Sequence, residues 1–171
     1  MIVYVNRIFF STNDHPKLLS LSIYFQGCDK VPKCAFCHNK DTWEPFKGFK
    51  YEISELNEII KDKVSYALET YEKIAVSFLG GEPLAPYNRE AVLEISKELK
   101  EEFGDKIVNI LFSWRTLEDI KNQNLEKYIE YIDEFVLGPY EHELRNVDKN
   151  GNVLFPASKN QKYIKREGIL T

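Results

Sequence analysis

Cys28, Cys34 and Cys37 are the only cysteines of the chain, and they sit in one short window. Thiolates are soft donors that select iron–sulfur clusters, zinc or copper(I). An odd number of cysteines crowded together does not make a disulfide framework, so these side chains are read as metal ligands. A closed structural zinc site takes four ligands, and the fourth would have to be His38, His15 or His142. His38 directly follows Cys37, an awkward place from which to complete the same tetrahedron. Three thiolates suit a four-iron cluster that leaves one iron open to an exchangeable ligand. The spacing alone leaves zinc and iron–sulfur both open. Cys34-Ala35-Phe36-Cys37-His38 also fits the C-x-x-C-H pattern of c-type haem attachment. Against haem stand the lack of an export signal, an initiator as the only methionine, and Cys28, which such a site leaves unexplained.

A second candidate is Gly80-Gly81-Glu82-Pro83. Two glycines at a strand end let the backbone approach a ligand closely, with the Glu82 carboxylate beside it; the plain alternative is a strand-to-helix turn. Ser113, at another strand end, offers a hydroxyl to a ligand or merely starts a turn. Trp43 is read as packing the cysteine loop. Arg145, Asn160 and Gln161 lie in a polar C-terminal stretch that either shapes a pocket, docks a partner or is simply solvated.

The elements that must position these residues alternate in period. Ile2 to Ser11 and Leu18 to Phe25 are β-branched and aromatic runs, read as strands around the turn cluster Thr12-Asn13-Asp14-His15-Pro16. Ser54 is read as the N-cap of an amphipathic helix to about Tyr71, with Leu56, Ile59, Ile60, Val64 and Ala67 on one face. Lys73 to Leu79 is a strand, Asn88 to Phe103 a helix, and Ile107 to Trp114 a strand. Thr116 opens a helix toward Asp133 that breaks near Asn122 to Asn124. Phe135 to Leu137 and Gln161 to Lys165 are short strands with loop between them. Such alternation predicts an α/β fold with a mostly parallel sheet, open or partly closed, because a full eight-stranded barrel takes about 250 residues. Ligands gather at the carboxyl ends of strands in that architecture, where the cysteine loop, Gly80-Gly81 and Ser113 all fall.

With 171 residues, 43% of them hydrophobic, the chain is read as one domain, residues 1–171, with a sizeable core. A net charge of −4 argues against a broad nucleic-acid or membrane surface. No apolar run approaches the roughly 20 residues that span a bilayer, and no basic leader precedes an apolar run. A reducing, cytoplasmic compartment is expected.

Three stretches, in order along nearly the whole chain, resemble the radical-SAM superfamily and, within it, the activating enzymes of glycyl-radical enzymes. They are Gly27-Cys28 with Cys34-Ala35-Phe36-Cys37-His38-Asn39-Lys40-Asp41-Thr42-Trp43, then Phe78-Leu79-Gly80-Gly81-Glu82-Pro83-Leu84. The third joins Leu137-Gly138-Pro139-Tyr140 through Leu144-Arg145 to Ala157-Ser158-Lys159-Asn160-Gln161. The family most resembled is the small activases of anaerobic (class III) ribonucleotide reductases. The resemblance implies a partial β/α barrel and a [4Fe–4S] cluster on Cys28, Cys34 and Cys37. It also implies S-adenosylmethionine (SAM) on the open iron and a 5′-deoxyadenosyl radical that takes hydrogen from a glycine of the reductase large subunit. A flavodoxin-type electron donor is implied too. Gly80, Gly81, Glu82 and Pro83 would meet the ammonium end of SAM, Phe36 its adenine and Ser113 its ribose, with His38 and Asn39 lining the pocket. The likeness departs at two places. Five residues, Asp29 to Lys33, separate the first two cysteines where the family usually has three. Ser113-Trp114-Arg115-Thr116 stands where the family often has Thr-Gly-Tyr-Thr, leaving the role of Arg115 open. A radical-SAM enzyme acting on a nucleobase precursor or peptide, and a zinc-stabilised binding module, are the alternatives.

Overall fold

The computed structural model describes residues 1–169. Nine strands and four helices alternate along most of it. They are β1 (Ile2–Ser11), β2 (Ser20–Phe25), β3 (Phe49–Glu52), α1 (Ile53–Leu68), β4 (Ile74–Gly80), α2 (Arg89–Phe103), β5 (Ile107–Ser113) and α3 (Leu117–Asn122). After these come β6 (Glu134–Leu137), β7 (Arg145–Val147), β8 (Val153–Ser158), β9 (Lys162–Lys165) and α4 (Arg166–Ile169). Seven strands form one sheet in the order β3-β1-β2-β4-β5-β6-β9, while β7 and β8 make a separate hairpin. The central run β2-β4-β5-β6 is parallel. The flanking pairs, β1 with β2, β1 with β3 and β6 with β9, are antiparallel. The fold is therefore mixed α/β, its parallel centre built by helical crossovers as the alternation predicts.

Period-two alternation sorts the sheet into two unlike faces. One face carries Leu21, Ile23, Phe25, Val76, Phe78, Leu111 and Phe135 against Leu56, Ile60 and Val64 of α1 and Val92, Ile95 and Leu99 of α2. Burying each such side chain contributes about 1.5–3 kcal/mol, so this face holds the fold together. The other face has only a small apolar cluster of Ala75, Ile110 and Val136, with Phe112, Phe155 and Tyr163 packed on it. Its remaining positions include Ser20, Ser22, Tyr24 and Ser77, small or polar side chains that leave room above the sheet.

The sequence-based boundaries hold for the central strands and for α2. Thr116 caps α3 through a reciprocal capping box with Asp119, and the helix ends at Asn122, near the expected break. Ser54 is not the cap of α1, which starts at Ile53 from an extended Glu52. Three strands, β3, β7 and β8, lie where the sequence pattern predicts none. β3 is a short, largely exposed edge that follows the cysteine loop, carrying Lys50 and Glu52 as edge strands often do. The β7–β8 hairpin lies in the segment read as loop, turned by Asp148, whose carboxylate accepts from the Asn150 and Asn152 backbones. No described helix is long and apolar enough to cross a membrane.

Candidate functional site

The cysteine loop leaves the sheet at the carboxyl end of β2 and returns beside its own start. The Gly27 amide donates to the Thr42 carbonyl at 2.6 Å and the Cys28 amide to the Trp43 carbonyl at 3.0 Å, so two backbone rungs close its base. Buried Gln26 braces the same base from below. Its Nε2 donates to the Asp41 and Glu44 carbonyls at 3.0 and 2.8 Å, and its Oε1 accepts from Asn6 Nδ2 at 3.1 Å. Asn88 Nδ2 donates to the carbonyls of both Gln26 and Glu82, tying the loop base to the turn after β4.

Gly81 makes that turn possible. A Cβ on it would stand 2.1 Å from the Gly27 carbonyl oxygen and 2.8 Å from that of Thr42, inside any permissible contact. Gly80 has φ +117 and would place a Cβ 2.5 Å from the Phe25 nitrogen. The sequence suggested that these glycines admit a ligand. Both line the cavity, and the protein's own packing also requires them: Gly80 lies against the end of β2, and Gly81 against Gly27 and Thr42 at the base of the cysteine loop, with Gly81 N–H donating to Phe25 O and Glu82 N–H to Gly27 O at 3.0 and 2.8 Å.

All three cysteines are free thiols of intermediate exposure. They line a cavity of about 850 Å³ on the sparsely covered face of the sheet. Its walls include Tyr24, Leu79, Phe112 and Val136 from that face, Trp43 and Trp114, and, toward the amino ends of the strands, Asp14 and His15. Burial pushes the Cys28 thiol up to about 11 and raises that of Cys34. Binding a metal or cluster at these two must therefore drive off their protons. The Asn39 amide donates to Cys37 Sγ at 3.4 Å, an N–H···S contact of the kind that tunes cluster thiolates.

The expected site residues divide sharply by placement. His38 and Asn39 line the cavity; His38 lies against the Tyr140 ring, and Asn39 Oδ1 accepts from Arg7 at 2.9 Å. Phe36, with φ +57 and 63% exposed, points away from the cavity lining and packs on His142 at 4.3 Å between ring centroids. Glu82 and Pro83 stand behind the cavity wall. The Glu82 carboxylate, fully buried, accepts from Ser113 Oγ at 2.7 Å and from the Leu84 and Trp114 amides at 3.0 Å each. Burial pushes that carboxyl up to about 7 against the pull of Arg115, Ser113 and the two amides. Ser113 lines the cavity, but its hydroxyl is already engaged, donating to Glu82 and accepting from the Arg115 amide at 3.0 Å. Gln161 lines the cavity and holds the Gly138 carbonyl, Asn160 holds that of Pro139, and Arg145 donates to the His142 carbonyl from an exposed position.

Of the histidines weighed as a fourth zinc ligand, His15 has both ring nitrogens engaged toward the amino ends of the strands. Nδ1 accepts from the Lys17 and Leu18 amides, and Nε2 meets Glu134 at 3.0 Å. His142 Nδ1 is held by the Tyr140 hydroxyl at 3.0 Å. Three thiols and His38 line the cavity together, and soft thiolates are the donors that take an iron–sulfur cluster or zinc. The bracing residues Gln26 and Asn88 carry no recognisable spacing in the sequence. Asn88 is visible in the sequence only as a helix start.

Residues 19–164 match the family model described as 4Fe-4S single cluster domain. The chain is similar to three proteins named anaerobic ribonucleoside-triphosphate reductase-activating protein. That of Enterobacteria phage T4 is 28% identical over 122 residues, 71% of each chain. That of Vibrio cholerae is 29% identical over 119 residues, 70% of this chain and 72% of its own. That of Escherichia coli K12 is 24% identical over 140 residues, 82% of this chain and 84% of its own.

Proposed function

Since the chain belongs to the 4Fe-4S single cluster domain family, we propose that it is a radical-SAM activase that installs a glycyl radical on an anaerobic ribonucleotide reductase. The observation that carries this reading is that all three free thiols line one cavity large enough for a nucleoside-sized ligand. The names of the similar proteins supply the target class.

Cys28, Cys34 and Cys37 hold the [4Fe–4S] cluster as thiolates. With SAM bound, the cluster supplies the one-electron cleavage that yields a radical able to take hydrogen from a glycine Cα. Everything else falls to the polypeptide. The Asn39 amide holds Cys37 Sγ, and the Gly80–Gly81 backbone forms a wall without side chains on which the amino-acid end of SAM rests. Tyr24, Leu79, Phe112 and Val136 keep water from the radical, and the sheet face they occupy is the interior of a partial barrel. Glu82 acts from behind the wall, fixing the ends of β4 and β5 relative to one another. The reductase presents its glycine loop at the open mouth. A flavodoxin-type protein donates the electron, and the cytoplasm keeps the thiols reduced.

The test is anaerobic reconstitution with iron and sulfide, followed by reduction and addition of SAM and the reductase. A glycyl-radical doublet in the EPR spectrum is expected, together with loss of cluster and SAM cleavage in Cys34→Ala. SAM cleavage without the doublet points to a different substrate, a nucleobase precursor or a peptide. A colourless protein holding one tight zinc overturns the proposal.

A further inference from the structure

Between Cys28 and Cys34 the chain passes through Asp29-Lys30-Val31-Pro32-Lys33 without regular structure, and Val31 at its crest is 89% exposed. The two lysines of this span bond locally: Lys30 Nζ donates to the Pro32 carbonyl at 2.6 Å, and Lys33 Nζ to the Cys28 carbonyl. Asp29 alone among these five reaches another element of the described structure. Its Oδ1 accepts from Trp114 Nε1 at 3.1 Å and Arg115 Nη1 at 3.2 Å, and its Oδ2 from Arg115 Nη2 at 2.6 Å. The two places where the sequence departs from the family pattern therefore meet in space.

The meeting crosses the site. In the sheet order β2-β4-β5, Asp29 follows the end of β2 and Arg115 the end of β5, so the pair bridges over the Gly80–Gly81 turn that ends β4. Arg115 is built for this position. Its side chain is 4% exposed, its Nε donates to Gln123 Oε1 at 2.8 Å, and its guanidinium lies 4.6 Å from the centroid of the Trp114 ring. It sits between two carboxylates, Asp29 and, at 3.5 Å, Glu82. An exposed ion pair would count for little. This one is bidentate and largely buried, the geometry in which charge-assisted bonds are strong.

We propose that Asp29, gripped by Trp114 and Arg115, is a positioning residue that fixes Cys28 as a cluster ligand. It supplies the restraint that a five-residue span to Cys34 lacks. Each added loop residue adds conformational freedom that must be removed before the thiols face one cluster, and a side-chain clasp next to the first ligand removes it locally. This inference rests on the cluster reading above.

The experiment uses the full chain, first without and then with a reconstituted cluster. Asp29→Asn keeps the size and removes the charge, while Trp114→Phe removes one donor and leaves the Asp29 charge in place. The second variant separates the position of Cys28 from any electrostatic effect on its reactivity. Arg115 is left intact because its loss would strand Glu82. Alkylation of each thiol by iodoacetamide is followed by peptide mass spectrometry. In Asp29→Asn the Cys28 rate is expected to rise about tenfold and in Trp114→Phe about threefold, with Cys34 and Cys37 nearly unchanged. Loss of the reconstituted cluster to a chelator should accelerate in the same order. A Cys28 rate unchanged in both variants, or equal increases at all three thiols, overturns the clasp. Cys28→Ser is the separate control: if it keeps a full complement of iron and sulfide, the ligand assignment itself fails, and the clasp with it.

Discussion

The cavity-bearing face of the sheet is polar at both ends, yet the two ends are built differently. At the amino ends of the parallel strands, the polar groups close on one another. Ser22 and Tyr24 donate to Asp14 Oδ2 at 2.7 and 3.0 Å, Ser77 donates to the Asp14 carbonyl at 2.9 Å, and Ser20 meets Ser77 at 2.6 Å. Nearby, Glu134 takes both His15 and Tyr163. At the carboxyl ends the satisfied network lies one layer back, in Gln26, Glu82, Asn88 and Arg115, with Ser113 joining it from the cavity wall. What faces the cavity there includes three free thiols. Buried polar groups that satisfy one another stabilise a fold, whereas a rigid satisfied layer that holds other groups toward open space makes a site.

This contrast can be broken most forcefully at Glu82. Glu82→Ala leaves Ser113, two amides and Arg115 without their shared acceptor, so a loss of about 3–5 kcal/mol is expected in denaturant unfolding. A loss under about 1 kcal/mol would show that the layer behind the wall is not what holds it. Next comes Gly81→Ala, where the added methyl meets the Gly27 carbonyl and the cysteine loop must lift. A cost of about 1–3 kcal/mol is expected, with iron content after reconstitution falling in parallel. Unchanged iron content would uncouple the turn from the thiols.

The smallest effect is one of pH. Burial holds the His15 imidazole below its ordinary 6.5, so the unfolded chain takes up that proton first and stability falls as pH drops below about 6.5. Glu82 has the opposite sign. Its carboxyl is raised from 4.5 to about 7, so the folded chain takes up the proton first and stability grows as pH falls across that window. The two ends thus tilt stability in opposite directions just below about pH 6.5. His15→Gln should leave only the Glu82 slope, seen as urea midpoints that rise more from pH 7 to about pH 5 than those of the parent. Parallel curves would remove His15 from the account.

The sequence carried the cysteine window, the central parallel strands and the convergence of loops at their carboxyl ends, because each depends on residues close together in the chain. It misjudged what Glu82 faces. A carboxylate after two glycines looks the same whether it turns toward a ligand or toward Ser113, and only the packing of β5 decides. Phe36 is expected against the adenine of SAM, yet its ring, 63% exposed, packs on His142 outside the cavity lining. Asp29 and Arg115 are 86 residues apart, and no local pattern announces that they touch. β3 and the β7–β8 hairpin were hidden by polar, exposed sequence whose pairing comes from neighbours and turns rather than from buried periodicity.

The two backbone rungs at the base of the cysteine loop have a consequence for how such a chain can evolve. Because Gly27 meets Thr42 and Cys28 meets Trp43, the loop leaves and re-enters the scaffold at one point. Residues can then be gained or lost inside it without displacing β2 or β3, at an entropic cost that grows only slowly with length. Insertions between ligands become accessible to drift, and selection has only to supply a new foothold for the longer arm.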